Sequence, residues 1–289
     1  LLVKMILNKI LCVVKKTELE KYKINSDKDL PSGIKEWLKQ GHDNHLNFLT
    51  KFKETAHKYE LPITYITTNE VKNVRSKYDL IITIGGDGAF LLATKYFKNT
   101  PLLGFNSNSH EHPKQGSVGA LTSGNISNLE RTLKQLKEGK IKTIPLPLLD
   151  LKINDKKMNI SVVNEIYLGN KKPYKSSDLT IIYKNNEERF NCSGILISTF
   201  TGSTAWYKNS GGKSFKEGNF AFLIREPNKD RQPTIIQGIL KGRESLIVYP
   251  NSPGHIISSD SRDQIVVLKT FDKVEVSLSK DNFIEVVKF

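Results

Sequence analysis

The chain predicts an α/β domain built on a parallel sheet, followed by an all-β domain. Three observations carry that division. Short apolar runs alternate with helical periodicity in the first half of the chain. The period then switches to two near Ile141. Polar clusters rich in glycine close several of the apolar runs. The expected division is an α/β domain over 1–125, a connecting helix over 126–140 and a β-rich domain over 141–289, whose tail from Phe283 is free to return to the first domain.

Taken in order, Ile10 to Val14 reads as the first strand. A helical stretch follows from Ile34 to Tyr59, with Trp37, Leu38, Leu46, Leu49, Phe52 and Ala56 at helix-like intervals and Gly41-His42-Asp43 as a candidate break. Ile63–Ile66, Leu80–Ile84 and Leu102–Phe105 are further strands. Between the last two, Ala89 to Lys98 predicts a helix with Phe90, Leu91, Thr94 and Phe97 on one face. Ile126, Leu129, Leu133 and Leu136 mark another helix, with capping-box spacing at Ser127 and Glu130 and Gly139 at its end. Beyond it, Leu149, Leu151 and Ile153 alternate with polar residues, Asn154-Asp155 can turn, and Met158, Ile160 and Val162 alternate again. Leu179–Tyr183, Ile195–Thr199, Leu246–Tyr249, Ile265–Leu268 and Val274–Leu278 continue the pattern, and Ser210–Asn219 reads as a polar loop.

Gly85-Gly86-Asp87-Gly88 stands directly after Leu80-Ile81-Ile82-Thr83-Ile84. Glycines there let the backbone approach a ligand and turn its N–H groups toward a phosphate. The helix that follows opens with an N-terminus that favours anions. A carboxylate in such a loop is electrostatically awkward, so Asp87 is a candidate for taking a proton from a nucleophile or holding a metal-bound phosphate. The competing reading is a plain turn. Two further clusters weigh against it. Thr201-Gly202-Ser203-Thr204-Ala205 follows the apolar run Ile195–Thr199 and offers backbone and hydroxyl donors. Asn164-Glu165 closes the run Ser161-Val162-Val163 and can accept from ribose hydroxyls and grip a base edge. Three clusters, each expected at the end of a strand, suggest one composite nucleotide site.

These residues resemble the NAD kinase family, whose marks are a Gly-Gly-Asp-Gly loop, an Asn-Glu pair and a Thr-Gly-Ser-Thr-Ala-like segment in that order. The resemblance runs from about Tyr78 to Tyr249. Val163–Gly169, Cys192-Ser193-Gly194, Ala205-Trp206 and Ile224-Arg225-Glu226-Pro227 are similar to the mitochondrial-type branch. The common branch usually has Asp-Gly in place of Ser193-Gly194, Tyr in place of Trp206, and a shorter loop after Gly104-Phe105-Asn106. The resemblance implies a Rossmann-like first domain and transfer of the γ-phosphate of ATP to the 2′-hydroxyl of the adenosine ribose of NAD(H). It implies Asp87 as the catalytic residue. Gly85, Gly86, Gly88, Asn106, Asn164, Glu165, Ser193, Thr201, Gly202, Ser203, Thr204, Ala205 and Trp206 would bind nucleotide. Mg²⁺ is expected through the ATP phosphates rather than through a protein ligand set. A homodimer or larger homo-oligomer, in the cytoplasm or the mitochondrial matrix, is the matching expectation. Two alternatives stay open at this point. Sphingosine and diacylglycerol kinases share a Gly-Gly-Asp-Gly loop before a β-rich domain, and a non-catalytic NAD(H)-binding protein would keep the pocket without the chemistry.

The bulk properties fit a globular protein of 289 residues with 26% charged and 38% hydrophobic residues. A net charge of +14 suits anionic partners, but the lysines are spread along the chain with no basic block, so neither nucleic acid nor a membrane is an expected partner. Two cysteines give no disulfide framework, and no apolar run approaches the roughly 20 residues a spanning helix needs; secretion is not expected. Gly212-Lys213-Ser214 lacks a P-loop's first glycine, since Tyr207 holds that place. The third glycine of a dinucleotide fingerprint starting at Gly86 would fall on Leu91. His110-Glu111-His112 has the wrong spacing for a helical zinc site, and Pro113 follows at once.

Overall fold

The structure is a computed structural model that describes residues 3–4, 6–22, 30–109, 119–160, 162–260 and 265–289. The chain divides into two compact units, Leu1–Pro145 with Ile284–Phe289, and Leu146–Phe283.

The first unit contains β1 (Val3–Lys4), β2 (Ile10–Val14), α1 (Glu18–Lys21), α2 (Ser32–Lys58), β3 (Ile63–Thr67), β4 (Leu80–Gly85), α3 (Asp87–Tyr96), β5 (Leu102–Asn106), α4 (Leu129–Lys137) and the start of β6 (Lys140–Ile153). Strands β5, β4, β2 and β3 lie side by side in that order, all parallel. Burial on both faces explains why β2 and β4 read as unbroken apolar runs rather than alternating ones. On one face Ile10, Cys12, Leu80, Ile82, Ile84, Leu103 and Phe105 pack with Phe48, Phe52 and Ala56 of α2 and Leu129, Leu133 and Leu136 of α4. Helix α3 covers the other face with Ala89, Phe90 and Ala93. A side chain on Gly104 would sit 3.0 Å from the Phe90 ring, so glycine in β5 sets how closely α3 approaches.

Four expectations for this unit need correction. Helix α2 runs unbroken for 27 residues through Gly41-His42-Asp43. Glycine costs an α-helix only about 1 kcal/mol, and His42 instead reaches Thr17, whose hydroxyl lies 2.8 Å from its Nδ1. The buried stripe of α2 is Leu38, His45, Phe48, Phe52 and Ala56, while Trp37 and Leu46 are exposed. Ser127 and Glu130 make no capping box: Asn128 precedes α4, Ser127 donates to Asn125, and Glu130 pairs with Lys58 at 2.6 Å. Ile126 is likewise exposed and outside the helix.

The second unit holds the rest of β6 with β7 (Lys156–Lys157), β8 (Glu165–Asn170), β9 (Ser177–Tyr183), β10 (Asn186–Cys192), β11 (Ile195–Thr199), α5 (Trp206–Asn209), β12 (Asn219–Ile224), β13 (Gln237–Lys241), β14 (Ser245–Pro250), β15 (His255–Ser259), β16 (Ile265–Val267) and most of β17 (Val274–Lys288). One antiparallel sheet has the order β13-β12-β11-β8-β15-β16. A second has β10-β9-β14 with the first half of β17. Their alternate residues form one core: Ile166, Leu168, Ile195, Ile197, Phe220 and Phe222 from the first, Leu179, Ile181, Phe190, Leu246, Val248, Val274 and Val276 from the second. Asn154 and Asp155 both take positive φ (49° and 64°), as a two-residue hairpin turn requires. The 210–218 loop is pinned by Phe215, which packs against the buried Tyr207. Strand β17 leaves this unit at Phe283, and its last residues belong to the first unit, where Val286 lies parallel to Leu102 of β5.

Candidate functional site

In the first unit the glycine loop sits where a parallel sheet exposes it, at the carboxyl end of a central strand. Gly85 ends β4 in contact with its neighbours, since a side chain there would come within 2.9 Å of Lys15 Cβ and 3.0 Å of Ala89 Cβ. Gly88 is the opposite case: a Cβ there would meet nothing within 4 Å, so the first turn of α3 is open on that side. Asp87 is the first residue of that helix. Its carboxylate does not dangle. Oδ1 accepts the N–H of Leu121 at 2.8 Å and Oδ2 accepts the N–H of Ala120 at 3.1 Å. Each oxygen keeps a second lone pair for another donor.

Asn106 ends β5 directly beside Gly85 in the register, and the Ser107 N–H donates to the Gly85 carbonyl at 3.1 Å. Gly119, which begins the loop that feeds Asp87 its amides, has φ +65°, and a side chain there would lie 2.5 Å from Asn106 Nδ2. Only glycine fits both demands. Thus Gly85, Gly86, Asp87, Gly88 and Asn106 form one cluster. Two residues without local sequence signals border it. Lys288 is half-buried, which pushes its ammonium below the ordinary lysine range while the charge of Asp87 opposes that shift. Next to it, the Val287 carbonyl accepts from Ser123 Oγ at 2.8 Å. His45 of α2 is buried, with Nδ1 2.7 Å from Ser107 Oγ, and burial pushes its pKa down toward the neutral ring.

In the second unit, Asn164-Glu165 does not close a strand, as the sequence suggests, but opens β8. Val162 makes only an isolated bridge to Leu149, and the next three amides turn away from any ladder. They point instead at Asp260. The N–H of Val163 lies 3.1 Å from both carboxylate oxygens, that of Asn164 2.7 Å from Oδ1 and that of Glu165 3.3 Å from Oδ1. Asp260 returns its own N–H to the Glu165 carbonyl at 2.9 Å. Both Asn164 and Glu165 are buried. Glu165 Oε2 has no hydrogen-bond partner among the described residues. Burial, with the Asp260 charge adding to it, pushes the Glu165 carboxyl up to about 7.

The segment Thr201–Ala205 packs onto this bend. Thr201–Thr204 form a 3₁₀ turn, and the Gly202 N–H donates to Thr199 Oγ1 at 3.0 Å. The Thr199 N–H in turn donates to the Asn164 carbonyl at 2.9 Å. A Cβ on Gly202 would fall 2.2 Å from the Asn164 carbonyl oxygen. Ala205 closes the turn by donating to the Gly202 carbonyl, and Thr204 faces outward beside Ser203. Ser193 and Trp206 join through Tyr167. The Tyr167 hydroxyl donates to the Ser193 carbonyl at 3.0 Å, and its ring stacks on Trp206 with centroids 5.5 Å apart. The Arg225 guanidinium lies 5.1 Å from the Trp206 ring centre. All nine of the second unit's expected site residues therefore share one neighbourhood.

No group of three or more His, Cys, Asp or Glu side chains among the described residues could hold a metal ion. His110-Glu111-His112 lies outside the described residues, as does most of the long loop that follows Asn106. No helix among the described residues is long and apolar enough to cross a membrane.

Comparison with known proteins adds three findings. Residues 5–141 match the family model for the ATP-NAD kinase N-terminal domain. A probable NADH kinase of Oryza sativa is 26% identical over 213 residues, 66% of each chain, so the match spans about two thirds of that protein. Two crystal structures share the fold: an NAD kinase from Archaeoglobus fulgidus in complex with ATP (TM-score 0.65, 19% identity, 97% of this chain and 93% of that one) and yeast NADH kinase complexed with NADH (TM-score 0.70, 17% identity, 98% and 84%).

Proposed function

We propose that this chain, which belongs to the NAD kinase family, transfers the γ-phosphoryl group of ATP to the 2′-hydroxyl of the adenosine ribose of NAD or NADH. The observation that carries the reading is the Gly85–Gly88 loop, with Asp87 fixed by two backbone amides at the mouth of an open helix N-terminus.

Phosphoryl transfer asks little covalent chemistry of the protein, and positioning with charge neutralisation supplies most of the rate. In this reading the N–H groups of the glycine loop and the first turn of α3 hold donor phosphates. Magnesium enters as part of the substrate, MgATP, carried by phosphate oxygens and water. Asp87 orients the ribose hydroxyl and takes its proton, using the lone pairs that Ala120 and Leu121 leave open. The fixed carboxylate supports that role, because a base that need not reorganise loses no entropy when it acts. Asn106, beside Gly85, borders the same phosphates. Asn164 and Glu165 bind the acceptor nucleotide, Thr201 to Ala205 close over ribose and phosphate, and Ser193 and Trp206 shape the far side through Tyr167. In this reading residues 1–125 carry the glycine loop with Asp87, 126–140 connect, and 141–289, whose tail returns to the first unit, carry Asn164-Glu165 and Thr201–Ala205. A homodimer or larger assembly, working in the cytoplasm or the mitochondrial matrix, completes the reading.

The test is NADP formation from NAD and MgATP, read with an NADP-specific dehydrogenase, with Asp87→Asn alongside. Activity in the parent chain and its loss in the variant, with NAD binding retained, is the expected outcome. A parent chain that binds nucleotide but makes NADP from neither NAD nor NADH overturns it.

A further inference from the structure

The Asn164-Glu165 pair is local in sequence, but what shapes it is not. Three consecutive backbone N–H groups, those of Val163, Asn164 and Glu165, converge on the carboxylate of Asp260, which is buried and lies 95 to 97 residues further along the chain. Consecutive amides pointing to one side make a concavity that suits an anion. Here the protein fills it with its own side chain. Asp260 takes φ +51°, a conformation aspartate tolerates better than most residues, and its N–H closes a return bond to the Glu165 carbonyl. A backbone held in this way has no freedom to swing Asn164 or Glu165.

We propose that Asp260 is a positioning residue for the acceptor nucleotide: by collecting these amides it fixes the bend from which Asn164 and Glu165 present their side chains. The inference rests on the reading of that pair as acceptor-binding. It also accounts for the company Glu165 keeps. Ser198 on β11 and Ser259 on β15 flank its strand, and Asp260 is the charged group that acts on it. Burial does most to hold a proton on Glu165 to higher pH, and the same carboxylate that fixes the backbone adds to it, so one residue bears on both geometry and protonation state.

The experiment compares the full chain with Asp260→Asn. The amide of Asn cannot accept from as many N–H groups as a carboxylate, yet it keeps the size and tolerates the same φ. Direct binding of NAD, the KM for NAD and for ATP, and their dependence on pH from 5.5 to 8.5 are measured. The expected result is a weakening of NAD by about tenfold or more, in line with the sensitivity of such sites to small displacements, with the KM for ATP unchanged. The pH midpoint for NAD binding should also move down, because the negative charge beside Glu165 is gone. Equal changes in both KM values with no movement of the midpoint would mean a structural tie only, and would overturn the proposal. If the variant does not fold, amide hydrogen exchange on the parent decides: Val163, Asn164 and Glu165 must be protected before NAD is added, and rapid exchange there overturns it. A parent chain that binds no NAD defeats the acceptor reading itself, whereas a parent that binds NAD and a variant that binds it equally well defeats only the role of Asp260.

Discussion

Asp87 and Asp260 use their carboxylates in the same way and their positions in opposite ways. Asp87 accepts two backbone amides from a loop 33 and 34 residues away, and in the proposed reading the aspartate is the functional group that those amides hold still. Asp260 accepts three amides nearly a hundred residues away, and in the proposed reading it is the amides' own residues that function while the aspartate holds them. A carboxylate bonded to backbone N–H groups is a stiff element, since charge-assisted bonds are stronger than neutral ones. On that reading the first unit uses its stiffness for a base and the second for a bend. Substitution at the two should consequently part company: one strikes turnover, the other acceptor binding.

The largest expected effect follows from that contrast. Asp87→Asn should lower kcat by roughly 10²–10⁴-fold, the usual contribution of a positioned base, with the KM for NAD little changed. A matching collapse of binding would make Asp87 a ligand contact and erase the difference between the two units. Next in size is Gly202→Ala, whose methyl group would fall 2.2 Å from the Asn164 carbonyl oxygen. Overpacking of this kind costs about 1–3 kcal/mol, and a drop of several degrees in Tm, with weakened NAD binding, is the expected readout. An unchanged Tm would show that the turn can move off the bend.

A third prediction concerns protons. The folded Glu165 carboxyl titrates at about 7, against 4.5 in its ordinary state. Between those values the folded protein holds a proton that the unfolded chain has released, so stability falls as pH rises through the window, by about 2–3 kcal/mol in all. Glu165→Gln should remove that fall: denaturant midpoints for parent and variant should draw apart as pH rises from 5 to 8, with the variant the more stable at pH 8. Parallel curves would refute the assignment. The smallest effect is Tyr167→Phe, which deletes the bond to the Ser193 carbonyl and leaves the ring on Trp206. About 1 kcal/mol of stability should go, visible in urea unfolding, with NAD affinity changed less than by Gly202→Ala.

Legibility in the sequence followed the range of the contacts. The parallel strands were readable from their continuous apolar runs because burial on both faces leaves no polar alternation. The glycine loop was readable because its conformation is written in adjacent residues. Helix α2 was only half readable: Leu38, Phe52 and Ala56 are buried as its periodicity predicts, but its stripe passes through the polar His45, so the exposed Trp37 and Leu46 took that place by hydrophobicity. Strand β10, with the sequence Asn-Glu-Glu-Arg-Phe-Asn-Cys, carries almost no apolar pattern and is held by its ladder to β9. Asn164-Glu165 could be recognised as a motif, yet its place at the start of β8 could not, because the group that bends the chain there is Asp260. No window of local sequence contains both.

Residues 284–289 have one more consequence. Ile284, Val286 and Val287 are fully buried in the first unit, although nearly every other residue of that unit is made before the second unit begins. Domains usually fold in the order in which they leave the ribosome. Here the earlier unit must wait, with the edge of β5 at Leu102 unpaired, until residues 284–289 have been synthesised. A truncation that spares every residue of the proposed site but removes residues 284–289 would leave that stretch of edge open to other chains, so their loss should be read as a folding and aggregation defect rather than a catalytic one.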